Sequence, residues 1–207
     1  ARFSLLRPSM TLANRITIGR LVLIPVFIVF AAYYSESIQA GDEKTWLRVA
    51  ALLTFALAAL SDALDGYIAR NFGQMTNLGR VLDPVADKLL LLSGVVVLSV
   101  THWHAGLPIW FAVLVIARDI LIVAGVILIH FVVGKVEMGP LRSSKICTFL
   151  QLACVCWVLL DFWSTGRPLV LDGLIGLAAL FTFLTGAFYL REGIRQLRVA
   201  GHTDPEN

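Results

Sequence analysis

Four aspartates, Asp62, Asp65, Asp83 and Asp87, stand where a mostly apolar chain should be crossing a lipid bilayer. They fall in two runs, Ser61-Asp62-Ala63-Leu64-Asp65-Gly66-Tyr67-Ile68-Ala69-Arg70 and Gly79-Arg80-Val81-Leu82-Asp83-Pro84-Val85-Ala86-Asp87-Lys88. Placing an ionised Asp at the centre of a membrane helix costs roughly 2.5–3.5 kcal/mol, so four in one neighbourhood require partners that offset the cost. Residues three or four apart project from one face of a helix, so 62/65 and 83/87 each make a carboxylate pair. A donor set of oxygens, without imidazole or thiolate, selects Mg²⁺, Mn²⁺ or Ca²⁺ over zinc or copper. Two such ions held by shared carboxylates would clamp a pyrophosphate and stabilise both the attacking and the leaving oxygen of an in-line displacement. Gly66 and Gly79 would let a phosphate or nucleotide approach the backbone, although small residues in membranes also serve helix packing. Arg70 offers a permanently charged fork to a phosphate, or else anchors its helix among headgroups.

The elements that must carry these residues are membrane helices. The 207-residue chain is 58% hydrophobic, against about 45–50% for soluble domains, and its mean hydropathy is +0.81. Apolar runs occupy residues 16–34, 46–69, 81–100, 107–133, 146–163 and 174–190, each long enough to cross a hydrocarbon core of roughly 30 Å. The expectation is an all-α integral membrane protein: one domain over residues 1–207, six transmembrane helices, and a short amphipathic segment over residues 1–15 lying on the membrane surface. Pro25 should kink the first span, and Pro84 should sit harmlessly in the first turn of the third.

Loop charge predicts the orientation. Thirteen of the 17 Lys and Arg, Arg20 among them, fall on one side of this topology, whereas Lys44, Arg48 and Arg167 fall on the other and Arg118 lies inside the fourth span. The positive side is cytoplasmic by the usual rule, which puts both termini there. Trp46, Trp103, Trp110 and Trp163 sit near the opposite ends, as interfacial indoles should. The second span ends near Arg70 and the third begins near Val81, so Asp62 and Asp65 should lie about 12 and 8 Å inside their helix end, in a polar cavity open to the cytosol. The net charge of +3 is then topology and attraction to anionic headgroups, with no nucleic-acid partner implied. Cys147, Cys154 and Cys156 all lie in the fifth span and have no disulfide-type spacing; they read as small core residues. His102 and His104 could share a metal, but no companion ligand stands near them in the sequence.

The pattern Asp62-x-x-Asp65-Gly66-x-x-Ala69-Arg70, eight residues, Gly79-x-x-x-Asp83-x-x-x-Asp87 resembles the complete signature of the CDP-alcohol phosphotransferases. The similarity extends to Asn14-x-x-Thr17-x-x-Arg20 and Ser144-Lys145-x-x-Thr148-x-x-Gln151. It implies a six-helix membrane fold, usually dimeric, in the bacterial inner membrane or an equivalent one. It also implies cleavage of the pyrophosphate of CDP-diacylglycerol, release of CMP and transfer of the phosphatidyl group to an alcohol. On the same resemblance, Asp62, Asp65, Asp83 and Asp87 hold two Mg²⁺ or Mn²⁺ ions and Asp87 is the general base. Gly66, Ala69, Arg70 and Gly79 line the CDP pocket.

Within the superfamily the chain looks most like the branch of phosphatidylglycerophosphate synthases and eukaryotic-type cardiolipin synthases. The acceptor would accordingly be glycerol 3-phosphate or phosphatidylglycerol, with inositol phosphate and serine as more distant alternatives. Asp119, where the glycerophosphate enzymes are expected to carry Glu, leans toward the cardiolipin type. Arg118 with Arg142 and Lys145 would receive the acceptor's phosphate. The competing roles are an ion pair between Arg118 and a carboxylate on another helix, and headgroup anchoring for the other two. No Ser–His or Cys–His pair suits a covalent intermediate, which favours direct attack. A cation transporter, the reading from a different class, should place acidic residues along the whole path across the membrane, whereas here they cluster at one end of two spans.

Overall fold

The computed structural model describes the backbone of residues 12–72, 77–133, 142–160 and 168–200. It describes the side chains of residues 17–61, 85–129, 131, 144–160 and 168–196. The elements are α1 Leu12–Gln39, α2 Thr45–Phe72, α3 Asn77–Val100, α4 Ile109–Val133, α5 Arg142–Leu160 and α6 Leu169–Ala200, with no strand among the described residues. Thr17–Gln39, Ile109–Ile129 and Leu169–Gln196 are long and apolar enough to cross a membrane, and Thr45–Ser61 and Ser144–Leu160 are shorter apolar stretches. Large apolar side chains such as Val22, Leu53, Val113, Ile120, Phe149 and Phe183 are exposed. This suits a lipid solvent and would be an aggregation liability in water. The chain is an all-α membrane protein.

Each expected span has its helix, but the bounds differ. α1, α2, α3 and α6 run past the apolar stretches that announced them, because backbone hydrogen bonding continues through the interface while hydropathy registers only the hydrocarbon core. Residues 12–15 therefore belong to α1 and not to a separate surface segment; residues 1–11 lie outside the described residues. α3 begins at Asn77, seven residues before Pro84, so Pro84 is in the helix interior and not in its first turn. Lacking an N–H, it leaves the Arg80 carbonyl without its helical donor. Pro25 likewise lies inside α1, which continues to Gln39.

The chain forms two compact units, Ala1–Val97 and Leu98–Asn207. In the first, α1 packs on α2. Phe27, Ala31 and Tyr34 of α1 and Ala51, Phe55 and Ala58 of α2 are buried at steps of four and three, the helical period of a single face. The Phe27 and Phe55 rings meet at 5.2 Å between centroids. The turn joining these helices is held by polar bonds. Gly41 adopts φ 71°, Ser37 Oγ accepts the Lys44 amide at 3.2 Å, and the Tyr34 hydroxyl donates to Glu43 Oε1 at 2.7 Å. A left-handed residue here closes α1, and glycine adopts it without steric cost.

In the second unit α6 packs against both α4 and α5. Toward α4 it presents Gly186 and Gly193. A Cβ added to Gly186 would lie 3.5 Å from Arg118 Cγ, and one added to Gly193 would lie 3.7 Å from Ile129 Cδ1. Small residues thus let the two helices approach closely. Toward α5 the contact is polar. Gln151 Nε2 donates to Thr182 Oγ1 at 3.0 Å, Cys147 Sγ lies 3.2 Å from the same oxygen, and the Thr182 hydroxyl donates back to the Ala178 carbonyl at 2.7 Å. Cys147 and Cys154 are buried and Cys156 half-buried, all three as free thiols.

The loop between α3 and α4 folds back on its helix, with the Leu107 amide bound to the Leu98 carbonyl at 2.9 Å. Trp103 is buried in it, whereas Trp46 and Trp110 are exposed at the starts of α2 and α4. Trp163 lies outside the described residues.

Thr182→Val should lower stability by about 1 kcal/mol, the scale of an interhelical hydrogen bond in a membrane protein. The double variant with Gln151→Leu should lose less than the sum of the two single changes. Unfolding in detergent measures both, and strict additivity would mean that this bond does not couple α5 to α6.

Candidate active site

The four aspartates ride on two helices of the first unit, α2 and α3, which are joined by only residues 73–76. Counting back from the joined ends, Asp62 is ten residues from Phe72 and Asp87 ten from Asn77, whereas Asp65 and Asp83 are seven and six. At 1.5 Å per residue this is about 15 Å for the outer pair and about 9–10 Å for the inner pair. Each helix thus carries two aspartates at similar distances along the chain from its joined end. For Asp62 and Asp65 these distances exceed those expected from the sequence because α2 runs on to Phe72. The side chains of Asp62, Asp65 and Asp83, and those of Ala69 and Arg70, lie outside the described residues, as do the surroundings of Gly66 and Gly79.

Asp87 is described, and it has a partner that sequence reasoning did not place at the site. Arg20 Nη1 of α1 donates to Asp87 Oδ1 at 2.5 Å; the arginine side chain is fully buried, while the aspartate stays 44% exposed. A guanidinium carried into an apolar helix needs an anion to offset its desolvation, and Asp87 supplies one. Arg20 thus holds a carboxylate that keeps part of its surface accessible. Thr17, one turn earlier on α1, is also fully buried. The signal that could have found this pair is the Asn14-x-x-Thr17-x-x-Arg20 spacing, which belongs to the resemblance but names no partner for Arg20. Among the described residues no group of three or more His, Cys, Asp or Glu could hold a metal, and this includes His102 and His104.

The second unit holds Arg118, 7% exposed. Its Nη1 donates to Asp119 Oδ1 at 2.7 Å and its Nη2 to Ser144 Oγ of α5 at 2.9 Å, while its stem lies against Gly186 of α6. Nε is buried without a hydrogen-bond acceptor among the described residues. The expected ion pair with a carboxylate on another helix is therefore corrected. The carboxylate is the next residue of the same helix, and what the neighbouring helices bring to the head and stem is a hydroxyl and a glycine. Ser144 directly precedes Lys145, whose side chain is exposed. Arg118 and Lys145 are thus neighbours through one residue, and Arg142 is in the same first turn of α5 with its side chain outside the described residues. Gln151 and Thr148, the other polar positions of that stretch, are spent on helix contacts: Gln151 on Thr182 and Thr148 on the Ser144 carbonyl at 3.1 Å.

Comparison with known proteins now gives this arrangement a context. Residues 10–185 match the family model of the CDP-alcohol phosphatidyltransferases. A probable phosphatidylglycerophosphate synthase of Mycobacterium tuberculosis is 33% identical over 189 residues, covering 90% of this chain and 83% of the relative. The CDP-diacylglycerol--glycerol-3-phosphate 3-phosphatidyltransferase of Bacillus subtilis is 31% identical over 195 residues, covering 91% and 98%. The enzyme of the same name from Rickettsia felis is 32% identical over 192 residues, covering 90% and 97%. The family generally uses divalent metal ions, and the paired aspartates of α2 and α3 are the oxygen donors such ions take. The chain belongs to the CDP-alcohol phosphatidyltransferase family and is a membrane-embedded phosphatidyltransferase of phospholipid biosynthesis.

Proposed function

We propose that the protein transfers the phosphatidyl group of CDP-diacylglycerol to glycerol 3-phosphate and releases CMP. The observation that carries the reaction is the set of four aspartates, two on each of two consecutive helices at similar distances from their joined ends; the choice of acceptor rests on the names of the relatives, similar over about nine-tenths of the chain. Asp62, Asp65, Asp83 and Asp87 would hold two Mg²⁺ or Mn²⁺ ions, an assignment supported by the all-oxygen donor set and by the partial exposure of Asp87. When bound, the ions neutralise the pyrophosphate and stabilise the departing CMP.

The chain's own groups do the rest. Gly66, Ala69, Arg70 and Gly79 line the CDP pocket. Asp87, oriented by Arg20, takes the proton of the acceptor hydroxyl. That hydroxyl oxygen bonds to the phosphatidyl phosphorus, and the bond from phosphorus to the CMP oxygen breaks in the same displacement. Arg118, Arg142 and Lys145 receive the acceptor's phosphate, a reading supported by a buried guanidinium hydrogen-bonded to the residue before Lys145. The whole of residues 1–207 acts as one catalytic domain, with the site and both termini on the cytoplasmic face of the membrane and two copies forming a homodimer. The alternative reading, a cardiolipin synthase that takes phosphatidylglycerol in place of glycerol 3-phosphate, is favoured by Asp119.

CMP release from CDP-diacylglycerol by purified protein, with glycerol 3-phosphate and phosphatidylglycerol offered in parallel, tests the acceptor. Release with glycerol 3-phosphate alone is expected; release with phosphatidylglycerol alone would make the protein a cardiolipin synthase. Asp83→Asn should abolish turnover in protein that still folds, and wild-type activity in it would remove Asp83 from the metal set. Arg20→Met should cost about 3 kcal/mol of stability and reduce turnover, with Arg20→Lys intermediate in both. Full turnover in Arg20→Met would leave the pair a purely structural contact.

A further inference from the structure

We propose that Ser144 is a positioning residue that sets the affinity for the phosphorylated acceptor by fixing the guanidinium of Arg118. The inference rests on the acceptor role proposed above for Arg118, and it gives Ser144, so far only a position in a shared spacing, a function of its own.

Arg118 has three anchors, and they are not equivalent. Gly186 of α6 meets only the aliphatic stem, at ordinary van der Waals distance, so it limits where the side chain can go without orienting its head. Asp119 is the next residue along α4. Adjacent residues on a helix point about 100° apart, so its carboxylate reaches the guanidinium from the flank. It neutralises charge but moves with α4 and carries no information about α5. Ser144 is the remaining contact, at 2.9 Å. Among the described residues it alone ties the charged head of Arg118 to another helix, and it does so in the first turn of α5, beside Lys145.

The chemistry of the hydroxyl adds a second effect. Ser144 Oγ accepts from Arg118 Nη2, so its own proton must point away from the guanidinium, toward another acceptor. Arg118 is more than nine-tenths buried and keeps Nε unbonded among the described residues. A phosphate oxygen arriving here would find donors whose directions are already set, which lowers the ordering cost of binding. Without the hydroxyl, the guanidinium would turn further onto Asp119, and the charge offered to an anion would fall.

Steady-state kinetics on the full-length protein, with glycerol 3-phosphate and CDP-diacylglycerol varied separately, test this. Ser144→Ala should raise the KM for glycerol 3-phosphate about tenfold, the loss expected for a hydrogen bond to a charged group, with kcat and the CDP-diacylglycerol KM changed less than about twofold. Ser144→Thr, which keeps the hydroxyl, should restore the acceptor KM. In an Arg118→Ala background, Ser144→Ala should add nothing further. The unchanged lipid KM together with the Thr variant separates this effect from misfolding.

If Arg118→Ala raises the acceptor KM and Ser144→Ala does not, the positioning role is overturned while the acceptor pocket stands. An equal effect of Ser144→Ala with and without Arg118 would also overturn it, since Ser144 would then act independently. If neither change moves the acceptor KM, the acceptor role of Arg118 falls, and the inference falls with it.

Discussion

A charge inside an apolar helix must be answered by another charge or by a polar group, and in the first unit the contact between Arg20 and Asp87 meets that requirement. It joins residues 67 positions apart and ties α1 to α3. The fully buried arginine has no surface to reach and needs the anion, whereas the half-exposed aspartate supplies it. α1 therefore cannot slide or rotate against α3 without separating the pair. Packing, orientation and chemistry meet in one ion pair.

The remaining polar groups divide into two kinds. Thr54, Ser61, Ser93 and Thr185 donate back to carbonyls three or four residues earlier in their own helices, which satisfies each hydroxyl locally and says nothing about tertiary structure. Arg20 with Asp87, Arg118 with Ser144, and Gln151 with Thr182 cross between helices. Only this second kind specifies which helices meet and in what register, because lipid tails compete with apolar packing on nearly equal terms. Two of these three contacts, one in each unit, involve residues proposed to act on substrate, so groups that set helix register within a unit are in part those with a proposed chemical role.

What was legible in the sequence was local. Six helices follow from six apolar runs, and the carboxylate pairs from spacings of three and four, because both signals lie within one element. The helix ends were less legible: Asn77-Leu78-Gly79-Arg80 reads as polar loop yet continues α3. Long-range pairing was not legible at all. Arg20 stands in a shared spacing that names no partner, and the competing reading of Arg118 sought its carboxylate on another helix when it is the next residue. Trp103 can be placed at a span end, but the burial its loop gives it is not visible in the sequence.

The distribution of thiols has a practical consequence. All three cysteines of the chain lie on α5, two buried and one half-buried, within a helix that packs on α6. A cysteine introduced into any water-exposed loop would thus be the one thiol readily reached by a polar, membrane-impermeant maleimide. The natural sequence is already a near-silent background for labelling, and the sidedness of each loop can be read in intact cells or vesicles without first rebuilding the protein as a cysteine-free variant.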